Sequence, residues 1–366
     1  MKIAIISSAH PEKCPYIKYY TDVLERLNLN FDLLSWNRDG FYKSFMKNNY
    51  YWFNYRSLET KNNLLKLFDY YKFSKFVSNN IKDTDYDILI LYDTASVVFL
   101  WPLLCKKFKK KYIYDIRDYS PIIPCIRMFM HKIIVNSKFT VISSPGYKKW
   151  LPRNYEYIIG HNLRRKLLNI PMIIPCFFSN KVIKILTIGQ IRNFSPNASL
   201  VEAVGNKSNI LLEFVGYGNE YENLKKYSKK FHNILFTGRY KKDEEADIVK
   251  NVDFINILLP DTLSFNTPLS NRFYLSLIYR KPMIVNEESI QAKYVLKYKL
   301  GIVIKKGDNI YEKICEYVKT FDQNIFLWGC DTLLKEIKVD IDESMDLAQK
   351  YRIMSVPNMI IFKDGA

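Results

Sequence analysis

The stretch KVIKILTIGQIR, Lys181–Arg192, decides how this chain is read. Its apolar run, broken only by Lys184 and Thr187, suits a parallel strand buried on both faces, and Gly189 ends it where a tight turn needs backbone freedom. The same grammar returns in ILLEFVGYG (Ile210–Gly218), ILFTGRY (Ile234–Tyr240), VDFINILL (Val252–Leu259) and KPMIVN (Lys281–Asn286), each separated from the next by a helical pattern. Strands alternating with helices predict an α/β layer structure with a doubly wound parallel sheet.

Outward from that half, the first half repeats the pattern. KIAIIS (Lys2–Ser7), a helix near Tyr16–Leu27 and FDLLSW (Phe31–Trp36) come first. An aromatic, largely helical stretch follows, then DILILY (Asp87–Tyr92), KYIYDI (Lys111–Ile116), a helix around Ile122–Val135, FTVISS (Phe139–Ser144) and YEYIIG (Tyr155–Gly160). Two doubly wound units therefore stand in series, residues 1–165 and 180–337, joined by a linker at 166–179 and followed by a tail, 338–366.

Composition narrows the function. The 366 residues are 48% apolar and 25% charged, an ordinary globular balance. Cys14, Cys105, Cys125, Cys176, Cys315 and Cys330 are scattered with no CxxC pair, which argues against a zinc site or a thiol redox pair and suits a reducing cytosol. MKIAIISSAH reads as a first strand rather than a signal peptide. Asp87–Cys105 approaches the ~20 residues of a membrane span. Asp93 and Pro102 interrupt it, and a buried strand with a packed helix is the better reading. The net charge of +18, with runs such as KKFKKK (Lys106–Lys111), suits an anionic membrane face or a phosphorylated ligand, or else a plain solvated surface; nothing calls for nucleic acid. The aromatic YYWFNY (Tyr50–Tyr55) could dock a lipid-linked acceptor at a membrane interface or simply pack.

Ligands of doubly wound folds sit beyond the carboxyl ends of the strands, so the informative residues are those that follow strands. Gly189 and Arg192 follow one, Gly216 and Gly218 the next, and Gly238, Arg239 and Tyr240 a third. Glycines there admit a ligand close to backbone, and an arginine can grip a diphosphate with two bonds. In the first half, Asp115, Arg117 and Asp118 follow a strand, and His10 lies in the loop after the first one. Two such units would face a common cleft.

IGQIR, EFVGYGNEYENLKKY, NILFTGRY and NRFYLSLIYRKPMIV, in that order, resemble the donor-binding domain of GT-B glycosyltransferases, in particular the family-4-like enzymes of bacterial capsule and surface-polysaccharide assembly. YDIRDYSP (Tyr114–Pro121), VISSPGYKKWLP (Val141–Pro152) and GHN (Gly160–Asn162) are similar to the acceptor domains of that group. The resemblance implies two Rossmann-like domains, acceptor side first, and transfer of a sugar from a nucleotide-sugar donor to a glycan or lipid-linked acceptor. It implies no metal and no cofactor; the cysteine usage suits a cytoplasmic place, and the basic charge suits either contact with the inner face of the membrane or a plain solvated surface. Arg192 matches the basic position on the donor diphosphate, and Arg272, after Asn271, matches a common lysine. Gly238, Arg239 and Tyr240 match the segment along the base, and Asp115 or Asp118 would orient the acceptor or serve as base, with His10 a further candidate. Three positions depart from the pattern: Leu275 replaces the ribose-binding carboxylate, Thr267 replaces the first Glu, and Arg280 replaces the Gly of GKP. These departures keep a non-catalytic glycan-binding or scaffold role open.

KVDIDESMDLAQKYRIMSVPNMIIFKDGA, Lys338–Ala366, is similar to part of thioredoxin. That likeness implies a strand at KVDID, a helix at SMDLAQKYR, and the position of Val356–Pro357 before a last strand. The redox cysteines of thioredoxin are missing, so a redox role stands third.

Overall fold

The computed structural model describes residues 1–12, 14–38, 49–57, 61–92, 94–163, 175–179 and 181–350. The chain divides into compact units between His161 and Asn162, with a second division between Lys338 and Val339.

The first unit runs β1 (Ile3–Ser7), α1 (Pro15–Arg26), β2 (Phe31–Trp36), β3 (Tyr50–Phe53), α2 (Asn63–Ile81), β4 (Ile88–Tyr92), α3 (Thr94–Phe99), α4 (Trp101–Lys106), β5 (Tyr112–Ile116), α5 (Ile123–Asn136), β6 (Phe139–Ile142), a 3₁₀ turn (Pro145–Lys149) and β7 (Tyr157–Ile159). Its sheet has the order β3-β2-β1-β4-β5-β6-β7, with every paired strand parallel. Alternation along β1 explains the layers. Ile3 and Ile5 point to one face, where they meet Ile17, Tyr20, Val23 and Leu24 of α1. Ala4 and Ile6 point to the other, toward Phe73, Val77 and Ile81 of α2 and the helices that follow it. The apolar run after Asp87 is thus a strand followed by two short helices, and among the described residues no helix is long and apolar enough to cross a membrane. Asp93 lies outside the described residues.

The stretch expected to be largely helical after Trp36 contains β3, an edge strand paired to β2. Its rings pack: Phe53 meets Trp36 at 5.7 Å, and Trp36 stacks on Phe73 at 5.6 Å while its indole N–H donates to the Tyr55 carbonyl at 2.7 Å. Packing is therefore what most of YYWFNY does, and Tyr51 alone among its large apolar residues stands well exposed.

The second unit runs β8 (Ile183–Gly189), α6 (Phe194–Val204), β9 (Ile210–Gly216), α7 (Tyr221–Ser228), β10 (Ile234–Gly238), α8 (Glu245–Lys250), β11 (Phe254–Ile257), α9 (Leu263–Asn266), α10 (Asn271–Ile278), β12 (Met283–Asn286), α11 (Ile290–Tyr298), β13 (Gly301–Ile304), α12 (Ile310–Thr320) and α13 (Gln323–Lys350) as far as Lys338, where the division falls within that helix. The strand order is β10-β9-β8-β11-β12-β13, again parallel throughout. The order reverses at β8, so a crevice opens between the carboxyl ends of β8 and β11. Phe177 and Phe178, within the expected linker, join Phe321, Phe326, Phe254 and Tyr317 in one aromatic cluster. Residues 166–174 of that linker lie outside the described residues.

Lys338–Asp342, expected as a strand, continues α13 without a break to Lys350. The segment carries no helix breaker, and a helix already running extends at little cost. Val356–Pro357 and the strand expected after it lie outside the described residues.

Gly329 lets α13 lie against α11, since a Cβ there would stand 1.9 Å from the Tyr298 carbonyl oxygen. Gly329→Ala is expected to destabilise the protein by about 1–3 kcal/mol through overpacking, whereas Ile325→Ala, one turn away and 49% exposed, should stay within about 0.5 kcal/mol of wild type. Urea unfolding of the two variants checks the difference, and equal stability would remove the close contact.

Candidate functional site

In the second unit the loops after β8 and β9 are bonded to each other. The Ile191 amide donates to the Tyr217 carbonyl at 3.4 Å, and the Glu220 amide donates to that of Ile191 at 3.2 Å. Such close approach requires glycine. A Cβ on Gly216, whose φ is +133°, would stand 1.9 Å from the Gly189 oxygen, and one on Gly218 would stand 2.3 Å from the Ile191 oxygen. Gly216 and Gly218 thus serve loop-to-loop packing. Gly189, at φ +97°, has nothing within 4 Å of where its Cβ would be, so a ligand could approach the backbone there.

Arg272 enters the crevice from the first turn of α10, whose cap is Ser270 Oγ accepting from the Phe273 amide. Its Nε donates to the Ile188 carbonyl at 2.7 Å, Nη1 to that of Asn256 at 3.2 Å and Nη2 to that of Gln190 at 3.2 Å. One guanidinium therefore ties the end of β8 to the end of β11. Its partners are neutral, and no carboxylate pairs with it among the described residues. Loss of hydration draws its pKa down to about 10, with Tyr240 acting in the opposite sense. A half-buried cation held only by carbonyls is electrostatically prepared for an anion.

Around this point, Arg192 is exposed in the loop after β8, and Asn271 is exposed beside Arg272. The Arg239 guanidinium lies 5.0 Å over the ring of Tyr217, which is 41% exposed. Tyr240 donates to Glu245 at 3.1 Å, and burial followed by the Glu245 charge pushes its phenol up. Gly238, at φ +84°, closes the turn before them. Thr267 is fully buried and donates to the Leu263 carbonyl, and the half-buried Leu275 side chain has no acceptor atom, so neither offers an acceptor to a ribose. Arg280 sits at φ +52°, the left-handed conformation that accounts for glycine in the GKP pattern. It is anchored by hydrogen bonds to Leu277 and Asp331.

A buried polar network that the sequence reading missed fixes the β8 loop. Asn256, 0% exposed, donates to Thr187 Oγ1 at 2.9 Å and accepts from the Leu258 amide at 3.0 Å. Asn197 donates to the carbonyls of Arg192 and Asn193 at 2.9 and 3.0 Å. The signal was a polar residue inside the apolar run FINILL.

In the first unit, Asp115 is 0% exposed. Its Oδ2 accepts from Arg117 Nη2 at 2.6 Å and from the Tyr20 hydroxyl at 2.8 Å, and Arg117 Nη1 reaches the Gly160 carbonyl at 2.9 Å. Burial pushes the Asp115 carboxyl up while Arg117 pulls it back; burial works against the Arg117 charge, and Asp115 overrides it. Asp115 is thus the enclosed half of an ion pair. Asp118 is exposed, and the Arg117 carbonyl before it accepts from Ser143 Oγ and the Tyr147 hydroxyl. His10 is 3% exposed, stacked on Trp52 at 4.8 Å, and its Nδ1 accepts from the Glu12 amide. Hollows of about 550 and 660 Å³ lie at the amino ends of β1 and β2, the end of the sheet opposite these residues. Among the described residues no three His, Cys, Asp or Glu side chains are grouped to hold a metal.

Solved structures share this fold. Sucrose-phosphate synthase from Thermosynechococcus elongatus superposes with a TM-score of 0.71 at 14% identity, over 96% of this chain and 98% of that one. The apo lipopolysaccharide outer core galactosyltransferase WaaB gives 0.63 at 15% identity over 94% and 100%. Anabaena HepE in complex with UDP gives 0.62 at 10% over 95% and 99%. The architecture is accordingly that of the GT-B glycosyltransferases, and at these identities the likeness is one of fold. No family model matches the sequence. Curated relatives are short matches to thioredoxins: that of Bacillus subtilis is 47% identical over 32 residues, 9% of this chain and 31% of that protein. That of Echinococcus granulosus is 32% identical over 68 residues, 16% of this chain and 62% of that protein. The chain therefore spans less than two thirds of the length of these thioredoxins. Burial pushes the Cys14 thiol up to about 11 and that of Cys330 to about 12, the reverse of a thioredoxin nucleophile.

Asp115→Ala takes from the buried Arg117 the carboxylate it holds at 2.6 Å and is expected to cost about 3–5 kcal/mol of stability. The exposed Asp118→Asn should remain within about 0.5 kcal/mol. Thermal unfolding distinguishes them; an Asp115→Ala protein as stable as wild type would mean that the pair does not hold the β5 end together.

Proposed function

We propose that this protein is a glycosyltransferase that moves a sugar from a nucleotide-sugar donor to a glycan or lipid-linked acceptor in cell-surface polysaccharide synthesis, from a cytoplasmic position at the inner face of the membrane. The observation that carries the reading is Arg272, a cation tethered by three carbonyls at the switch point of the second sheet with no carboxylate among the described residues to neutralise it. A diphosphate there gains charge-assisted hydrogen bonds, and these strengthen as negative charge builds on the leaving nucleoside diphosphate. Arg192 supplies a second positive charge, so the proposed reaction needs neither metal nor cofactor. Gly189 admits the donor close to backbone, Arg239 over Tyr217 offers a flat face for the base, and Asn271 lies next to the diphosphate position.

On the acceptor side the proposed base is Asp118, which is exposed and carried on backbone held by Ser143 and Tyr147. Asp115 is assigned to positioning Arg117 and the end of β5, and His10 to a supporting place beneath the β1 loop. The UDP bound by HepE supports a nucleotide as donor component. Thr267 and Leu275 favour a second reading, a glycan-binding or scaffold protein with weakened donor affinity. Release of nucleoside diphosphate from a nucleotide sugar separates the two.

A panel of nucleoside diphosphates and nucleotide sugars, screened by thermal shift, is expected to contain at least one that raises the unfolding temperature, because binding to the native state stabilises it by mass action. Arg272→Ala should weaken that ligand about 10- to 100-fold, as expected for loss of a charged hydrogen-bonding partner. No shift with any nucleotide would sink the donor site.

A further inference from the structure

Among the described residues, the first unit carries a helical surface with large exposed apolar side chains. Helices α2, α3, α4 and α5 all cover the same face of the first sheet, and they pack side by side. On their outward side, Phe68 and Tyr71 of α2 are 55% and 46% exposed, and Met128 of α5 is 65% exposed. Ring contacts connect the helices: Tyr71 meets Phe99 of α3 edge-on at 5.6 Å, and Trp101 of α4 meets Phe129 of α5 at 5.5 Å. Large apolar side chains on neighbouring helices form a patch rather than scattered exposures.

The charge on this layer is one-sided. Asp and Glu make up 37 of the 366 residues, yet these four helices contain a single carboxylate. That residue, Asp69, is buried and consumed by Ser57 and Lys61. The basic residues stand beside the rings: Lys72 lies 4.9 Å over Phe68, and Lys132 lies 5.2 Å over Trp101.

We propose that the outer face of α2 to α5 docks the protein on an anionic phospholipid bilayer, with Phe68, Tyr71 and Met128 entering the headgroup region and Lys72, Arg127 and Lys132 meeting lipid phosphates. Aromatic rings are favoured at that depth, and lysines lay their stems along apolar surface while keeping the charge at the phosphates. A second copy fits poorly, because two acid-free basic faces repel each other. The inference rests on the proposed function for its membrane location and names the surface responsible; it does not depend on sugar transfer.

Sedimentation of the full chain with vesicles tests it. Vesicles of phosphatidylglycerol and phosphatidylcholine in roughly equal parts should bind the protein at least about tenfold more tightly than phosphatidylcholine alone, with the difference shrinking as salt rises. Phe68→Ser with Tyr71→Ser, and separately Lys72→Glu with Lys132→Glu, should each reduce binding by about tenfold or more while the unfolding temperature and any nucleotide-induced shift stay at wild-type values. Equal binding to both vesicle types, wild-type binding by the variants, or a dimer that the substitutions dissolve would overturn the proposal. Vesicle binding without any nucleotide binding would overturn the transferase reading and uphold this one.

Discussion

Arg272 donates to Ile188, Gln190 and Asn256, and these three carbonyls belong to the ends of two strands that the chain reaches by opposite routes. From β8 the chain winds through β9 to β10 at one edge, then returns to lay β11 on the other side of β8. The crevice created by that reversal has no covalent closure. It is bridged by one guanidinium above and by the Asn256–Thr187 bond below, so the site's charge and its framework depend on the same few hydrogen bonds. The tether has an electrostatic cost, since Arg272 has surrendered hydration for carbonyl dipoles and meets no counter-ion among the described residues.

The first unit handles its buried charge in the opposite way. Arg117 is matched within the protein by Asp115 and by the Gly160 carbonyl, which ties β5 to the end of β7. A pair so enclosed specifies geometry more than it adds stability. It holds in place the short segment that presents Asp118 to solvent.

Much of this was legible in the sequence because strand burial is written as composition. IKILTI and ILILY are nearly continuous apolar runs, and both are central strands of parallel sheets. Edge and terminal elements were harder. β3 lies in an aromatic stretch without clean alternation, and β13, GIVI, is too short to stand out. KVDID carries strand propensity that the helix before it overrides. Of the site, the glycines could be located but their use could not. Gly216 and Gly218 answer a contact between loops 27 residues apart in sequence, which no local pattern encodes. Asp115 and Asp118 looked equivalent three residues apart; only the fold encloses one and exposes the other.

Hydrogen–deuterium exchange of the full chain, with and without the nucleotide that most raises the unfolding temperature, tests the central claim most directly. The account predicts protection concentrated in residues 189–193 and 216–220 and at the first turn of α10, where Arg272 and the loop amides would meet a diphosphate. Unchanged exchange at all three, with protection elsewhere, would contradict it.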